Sequence, residues 1–321
     1  MSDLQTMARE ALAIWGGGPE PSLISHRENA VYDVRIGGVH RAALRLHRPG
    51  YRTDAQIRSE LHWATALAQA GIPVPQAVPA SDGEVLRWLP DGHAVSVLTW
   101  VEGTPIGSRD DFLIGNTDEM YRELGALLAD LHAISDGLDL PPEFERPKWD
   151  RESFTGPNPA WGRYWQHPDL ASHESGELLA ARDKADQVLR EVDLDSGLIH
   201  ADVLRENVFR TSQGLTLIDF DDSGIGYRLY DLTTAVCQEA DAPDLDRASA
   251  ALLSGYRSKR TLPKTDAALL PMFLMLRAFM SLGWVMPRLA PGDPRHAVNK
   301  QRALDAARAF LDGKSVLDAD G

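Results

Sequence analysis

The sequence predicts an α+β chain of two lobes: a small antiparallel sheet carrying one helix, then a larger, mostly helical lobe. Three observations lead there. Residues that alternate apolar and polar, bounded by turn formers, crowd the first hundred positions. One long helical pattern, from Thr53 to about Ala70, follows the third strand. Beyond the turn-rich crossing Glu102-Gly103-Thr104-Pro105 the apolar spacing is that of helices. The expected division is residues 1–101 and residues 102–321.

Residues 3–15 read as a short amphipathic helix that Gly16-Gly17-Gly18 stops. Ser22 to Ser25, Val31 to Ile36 and His40 to His47 read as strands, the last two joined by a tight turn at Gly37-Gly38. Thr53 caps the long helix, with Gln56 three residues on as a capping-box partner. Its apolar face runs through Ile57, Leu61, Ala64 and Leu67. Val78, Val85-Leu86 and Val95 to Trp100 supply further strands. In the second lobe, helices are expected over Thr117 to Ile134, Gly176 to Val192, 231–240, 244–260, 265–287 and 297–312. Pro141 to Asp169 reads as irregular, and the tail from Gly313 as frayed.

With 43% hydrophobic and 25% charged residues, the 321-residue chain is long enough for a sizeable core. Its 47 acids against 33 Lys and Arg leave a formal charge of −14. That charge repels nucleic acid and anionic membrane and weakly favours cationic small partners. The single cysteine, Cys237, excludes an internal disulfide and fits a reducing, cytoplasmic setting. The N-terminal stretch lacks the basic-then-apolar pattern of a secretory signal. Leu269 to Met286 is apolar enough to raise the question of a membrane span. Pro271 and Arg277 interrupt it, so a buried helix is expected.

The chemistry concentrates in the tract Leu198 to Asp222, LIHADVLRENVFRTSQGLTLIDFDD. His200, Asp202 and Asn207 stand at the spacing H-x-D-x-x-x-x-N of a phosphoryl-transfer loop, with Asp as base and Asn as magnesium ligand. Asp219-Phe220-Asp221 follows at the end of the next apolar strand, where a second metal-binding acid belongs. Such transfer needs positioned phosphates, magnesium and a base for the acceptor hydroxyl. Asp202 is the candidate base, Asn207 and Asp219 the candidate Mg2+ ligands, and His200 the residue that holds the loop by hydrogen bonds. Asp and Asn also favour plain turns, but a turn does not call for a second Asp at the end of the following strand. Asp231, in Tyr230-Asp231-Leu232, reads either as a helix N-terminal acid that locks the metal loop or as a plain cap.

The sheet lobe is then expected to hold ATP. Arg45, in the third strand, stands where a basic residue would contact the α/β-phosphates, and Glu60 on the following helix is its natural partner. There is no G-x-G-x-x-G. The first hairpin turns instead through His26-Arg27-Glu28-Asn29-Ala30, where Asn29 tolerates left-handed geometry and Arg27 or backbone N–H groups would reach phosphate. Adenine is expected against the backbone of Thr99, Trp100 and Val101.

Taken together, the motifs resemble the aminoglycoside phosphotransferase / choline kinase family of protein-kinase-like small-molecule kinases, which also includes type II homoserine kinases, hydroxylysine kinases and bacterial stress-response kinases. The matching pieces are Glu28-Asn29-x-Val31-Tyr32, Leu44-Arg45-Leu46-His47-Arg48-Pro49, Glu60, Gly71-Ile72-Pro73-Val74-Pro75, Glu102-Gly103-x-Pro105, the His200/Asp202/Asn207 loop, Ile218 to Asp222, and Tyr230-Asp231-Leu232. The resemblance implies a two-lobed kinase fold with ATP and Mg2+ in a cleft. Asp202 would be the catalytic base, Asn207 and Asp219 the metal ligands, and Arg45 the phosphate contact. Two departures stand out: Arg45 replaces the usual Lys, and Val203-Leu204-Arg205-Glu206 fills the loop between Asp202 and Asn207.

The expected activity is ATP-dependent transfer to the hydroxyl of a small, amine-bearing metabolite, with the acceptor site in the helical lobe. Asp222, Trp161, Tyr164, Arg277 and Trp284 are its candidate liners, as polar or aromatic residues in segments that would face the cleft. A Ser/Thr protein kinase of the stress-response type is the nearest alternative; a non-catalytic nucleotide-binding module is another. The motifs fix neither the acceptor nor the oligomeric state.

Overall fold

Turn and cap residues set the first elements, and the computed structural model, which describes residues 2–26, 29–108 and 116–313, shows how. Helix α1 (Ser2–Ile14) leads into β1 (Ser22–His26), β2 (Ala30–Ile36) and β3 (His40–Leu46). Gly37 and Gly38 both adopt positive φ, which lets a two-residue turn match the strand twist. In α2 (Asp54–Gln69) the capping box closes: Gln56 N–H donates to Thr53 Oγ1 at 3.2 Å, and Thr53 N–H donates to Gln56 Oε1 at 3.3 Å. β4 (Leu86–Trp88) and β5 (Ala94–Thr99) complete an antiparallel sheet in the order β1-β2-β3-β5-β4. Val78 lies outside the strands; its N–H donates to Val97 O beside a single bridge between Ala77 and Leu98. Arg27, Glu28 and residues 314–321 lie outside the described residues.

The rest of the chain is β6 (Thr104–Pro105), α3 (Thr117–Asp136), β7 (Lys148–Trp149), α4 (Arg151–Thr155), α5 (Ser172–Glu191), β8 (Ser196–Ile199), β9 (Val208–Thr211), β10 (Gly214–Leu217), β11 (Gly224–Tyr227), α6 (Arg228–Val236), α7 (Leu245–Arg257), α8 (Lys264–Ala267), α9 (Leu270–Val285) and α10 (Pro294–Leu311). Three differences from expectation have local causes. α5 begins four residues early because Glu174 reaches back to the Ala171 N–H at 2.7 Å. The stretch read as one helix over 265–287 is two, with Pro271 in the first turn of α9, where its missing N–H costs nothing. The segment 141–169 contains β7, α4 and a 3-10 turn at Tyr164–Gln166, elements too short to leave a periodicity.

The chain forms two compact units of three segments each. The first comprises Met1–Pro105, Gly137–Arg146 and Val208–Asp221. It holds the five-stranded sheet and a second small sheet in the order β10-β9-β6. One face of the large sheet buries Tyr32, Val34, Leu44, Val95 and Val97 with Met7, Leu12 and Trp15 of the α1 segment. Another cluster joins Ile57 and Leu61 of α2 to Leu86 and Leu98.

The second unit comprises Ile106–Asp136, Pro147–Asn207 and Asp222–Gly321. Helices α3 and α7 approach so closely that a Cβ on Gly125 would lie 2.0 Å from Leu252 O, and one on Gly255 1.9 Å from Arg122 O. Trp149, Phe154, Tyr230 and Phe273 form an aromatic core, with Trp149 stacked on Tyr230 at 5.3 Å. The segment Lys264–Val285 is long and apolar enough to cross a membrane, yet 67% of it is buried inside the protein. It is a core helix pair.

One buried group in the first unit couples stability to pH. His47 has its Nε2 2.8 Å from Ser96 Oγ. Burial, reinforced by the charge of Arg45, pushes its pKa down to about 3. The folded ring is therefore neutral, while an unfolded His protonates near pH ~6.5. The unfolded state binds the extra proton, so stability falls as pH drops from about 6.5 towards about 3, by up to ~1.4 kcal/mol per pH unit. Urea midpoints at pH 7.5, 6.0 and 5.0 should decline accordingly. His47→Gln should flatten that decline, and an unchanged slope would remove His47 as its source.

Candidate active site

In the second unit, the tract from His200 to Asn207 is bound to helix α6 by backbone hydrogen bonds. Asp231, fully buried in the first turn of α6, is the centre. Its Oδ2 accepts from His200 N–H at 2.8 Å and its Oδ1 from Ala201 N–H at 2.6 Å. Ala201 has φ 65°, a left-handed conformation costly for a residue with a Cβ. His132 of α3 adds its Nε2 at 3.0 Å from Asp231 Oδ2, and its Nδ1 lies 2.9 Å from Tyr256 OH on α7. Burial alone would raise the Asp231 pKa, but His132 and the loop N–H groups hold it below the ordinary carboxylate value. Burial keeps the His132 pKa low. The arrangement is a neutral imidazole donating to a carboxylate. Further along, Val203 N–H donates to Thr234 Oγ1 and Arg205 N–H to Gln238 Oε1. Asp231, read from sequence as a helix N-terminal acid that locks the metal loop or is a plain cap, stands in the first turn of α6 and binds the His200–Ala201 backbone.

Asp202 is partly exposed, at 19% of its side chain. Its N–H donates to His200 Nδ1 at 3.3 Å. Both carboxylate oxygens are engaged: Oδ1 by Arg277 Nη2 at 2.9 Å, and Oδ2 by Asn207 Nδ2 at 3.0 Å. Asn207 Nδ2 also donates to Asp202 O at 2.9 Å, so the Asn207 amide nitrogen faces the loop and its oxygen faces away. That is the orientation a hard cation requires of an amide ligand.

The first unit carries the other motif residues. Arg45 is buried and donates to Glu60 Oε1 at 2.6 Å. Burial would raise the Glu60 pKa, but Arg45 and then Arg146 hold it below the usual carboxylate range. Arg45 Nη2 lies 3.5 Å from Asp219 Oδ1 and 3.7 Å from Asp221 Oδ1, with no hydrogen-bond partner among the described residues. A buried guanidinium nitrogen left without a hydrogen bond fits an incoming phosphate oxygen. Asp219 has φ 64° and a half-exposed side chain. The backbone beside it is clamped: Arg146 donates to Phe220 O, Asp221 O and Gln56 O, and Arg52 donates to Asp221 O. Sequence reasoning missed Arg146, whose partners lie 74 to 90 residues away in sequence.

The remaining candidates are placed variously. Asn29 is buried, and its Oδ1 accepts from Arg48 N–H at 3.1 Å. Thr99 ends β5 and is tied to Gln76 by its N–H and Oγ1, while Trp100 stacks on the Arg41 guanidinium at 3.8 Å and Val101 follows outside the strand. Arg277, on α9, is buried against Asp202 with Trp161 4.9 Å from its guanidinium. Trp149 Nε1 donates to Asp222 O at 2.8 Å. Tyr164 is instead a core residue, fully buried with its OH donating to Phe154 O. Trp284 pairs with Arg288 at 4.9 Å.

The family model described as the phosphotransferase enzyme family matches residues 22–267. A homoserine kinase of Methylorubrum populi is 32% identical over 213 residues, 64% of this chain and 61% of that protein. This chain therefore spans about three-fifths of that kinase's length. An amicoumacin kinase of Bacillus subtilis is 22% identical over 87% of this chain and 83% of that protein. Among solved structures, a microcompartment-associated aminopropanol kinase superposes with a TM-score of 0.84 at 32% identity, over 96% of this chain and 98% of that one. An amicoumacin kinase in complex with AMP-PNP, Ca2+ and Ami has the same fold, with a TM-score of 0.81 at 20% identity over 99% and 96% of the two chains.

The Asp231 node is testable by stability. Asp231→Ala strips the acceptor from two loop N–H groups and from His132, and each buried unsatisfied group costs about 1–3 kcal/mol. A loss of about 3 kcal/mol or more is expected in urea unfolding. A loss under about 1 kcal/mol would mean that the loop is held by other bonds.

Proposed function

The chain belongs to the phosphotransferase enzyme family and is a small-molecule kinase acting on a hydroxyl group, and we propose that it moves the γ-phosphoryl group of ATP to a small, amine-bearing alcohol in the cytoplasm. The observation that carries the reading is Asp202, a partly exposed carboxylate fixed through both oxygens in the loop that Asp231 holds. In the proposed step the acceptor O–H loses its proton to Asp202. A bond forms from that oxygen to the γ-phosphorus, and the bond from phosphorus to the bridging oxygen breaks, leaving ADP. His200 orients the base through the Asp202 N–H. Arg45, held by Glu60, contacts the phosphates. Asn207 and Asp219 would hold Mg2+, which neutralises charge on the transferring phosphates. Adenine would lie against Thr99 to Val101, and Trp161 and Asp222 would line the acceptor site.

The amine is supported by the chain's charge of −14 and by its likeness to an aminopropanol kinase and a homoserine kinase, both named for amine-bearing alcohols. An acceptor screen with γ-labelled ATP over amino alcohols, hydroxy amino acids, aminoglycosides and a protein mixture tests this. Label on amine-bearing alcohols is expected; label confined to protein Ser or Thr would overturn it in favour of a protein kinase. Asp202→Asn should lower kcat by about 10²–10⁴ while ATP still binds. Arg45→Met should raise the KM for ATP by about tenfold or more, the worth of one charged hydrogen bond.

A further inference from the structure

Arg277 is a charge placed in the middle of α9, among side chains that are mostly apolar and buried. A guanidinium there needs a counter-charge, because taking it out of water costs several kcal/mol uncompensated. Among the described residues its ion-pair partner is Asp202, at 2.9 Å. Its other neighbours are neutral: Tyr230 OH lies 3.5 Å from Nη1, and the Trp161 ring packs 4.9 Å from the guanidinium. Tyr230 is itself locked by stacking on Trp149. The guanidinium is thus held from behind by rigid aromatic groups, with its Nη2 donating to Asp202 Oδ1.

The opposite oxygen of Asp202 is bonded to Asn207. The Asn207 amide nitrogen is shared between Asp202 Oδ2 and the Asp202 carbonyl. Arg277 comes from a separate helix and holds the other oxygen. We propose that Arg277 is a positioning residue for Asp202: it fixes the carboxylate through Oδ1, so that an acceptor hydroxyl meets the second oxygen in one orientation. The inference rests on the reading of Asp202 as base. It departs from the expectation that Arg277 binds the acceptor directly.

The two roles separate in kinetics. If Arg277 positions the base, Arg277→Met lowers kcat about 100-fold, as sub-ångström misplacement of a reacting group does. The KM values for acceptor and ATP then stay within about threefold. Arg277→Lys, which keeps the charge but loses the planar fork, recovers at least about tenfold of that loss. In the Asp202→Asn protein, whose residual turnover is read over long incubations, Arg277→Met costs nothing more. A raised acceptor KM with kcat preserved would overturn the inference in favour of acceptor binding, and equal losses in Met and Lys, or additive losses with Asp202→Asn, would overturn it in favour of a general structural role. Full turnover by Asp202→Asn would remove the base reading and this inference with it; an inactive Asp202→Asn beside a wild-type-like Arg277→Met would remove this inference alone. Thermal melting and ATP binding confirm folding. Should the Met variant fail to fold, Arg277→Lys in the wild-type and Asp202→Asn backgrounds carries the same comparison.

Discussion

The helical unit depends on one buried carboxylate. Asp231 takes three hydrogen bonds, two of them from the backbone of the His200–Asn207 tract. Those bonds hold Ala201 left-handed, a conformation its own side chain disfavours by roughly 1–2 kcal/mol. The chain reverses there, and Asp202 emerges towards solvent instead of continuing along β8. Asp231 is in turn set by His132 of α3, and His132 by Tyr256 of α7. Those two helices meet backbone to backbone at Gly125 and Gly255. A path of direct contacts therefore joins a helix crossing to the geometry of a side chain at the surface. It runs through neutral or fully paired groups, which is how a polar network survives in a low-dielectric interior.

The sheet unit solves the same problem by a different device. Asp219 is the other non-glycine residue with positive φ among those described. Here the clamp acts on carbonyls. Two arginines, Arg146 and Arg52, donate to the carbonyls that follow Asp219. The contrast lies in the backbone groups bonded: N–H donors of the His200 turn, and carbonyl acceptors of the Asp219 turn. Buried charge of opposite sign meets each. Strain and the charge that stabilises it sit together on both motif segments, the pattern expected where a side chain must be aimed rather than merely accommodated.

Sequence legibility tracked the range of the interactions. The capping box of Thr53 and Gln56 and the Gly37-Gly38 turn involve residues within a few positions of each other, and both were readable. The pairing of Arg45 with Glu60 spans fifteen residues, and strand–helix order was enough to suggest it. Asp202, Asn207 and Asp219 were singled out by spacing alone, because a phosphoryl-transfer loop has a fixed length. What escaped was long-range and side chain to backbone: Arg146 on Asp221, Asp231 on Ala201. Neither leaves a periodicity. Arg277 left half a signal. A lone charge in an apolar helix advertises a buried partner without naming it, and the partner stood 75 residues earlier. Tyr164 failed for the opposite reason, since aromatic residues in an irregular segment look alike whether they line a surface or fill a core.

Each unit is woven from three separated stretches of the chain, and the hairpin bearing Asp219 is an excursion between two stretches of the helical unit. This bears on how such a protein can diversify. A recombination event that exchanges one contiguous block takes part of one unit and part of the other, so the units cannot be traded whole by a single crossover. The Asp202 and Asn207 stretch and the Asp219 hairpin adjoin in the gene although they belong to different bodies, so they are inherited as one linked cassette. Variation around Trp161 can accumulate against that fixed cassette by point substitution. New acceptors would then arise by drift outside the cassette, with the linked motif carried along unbroken.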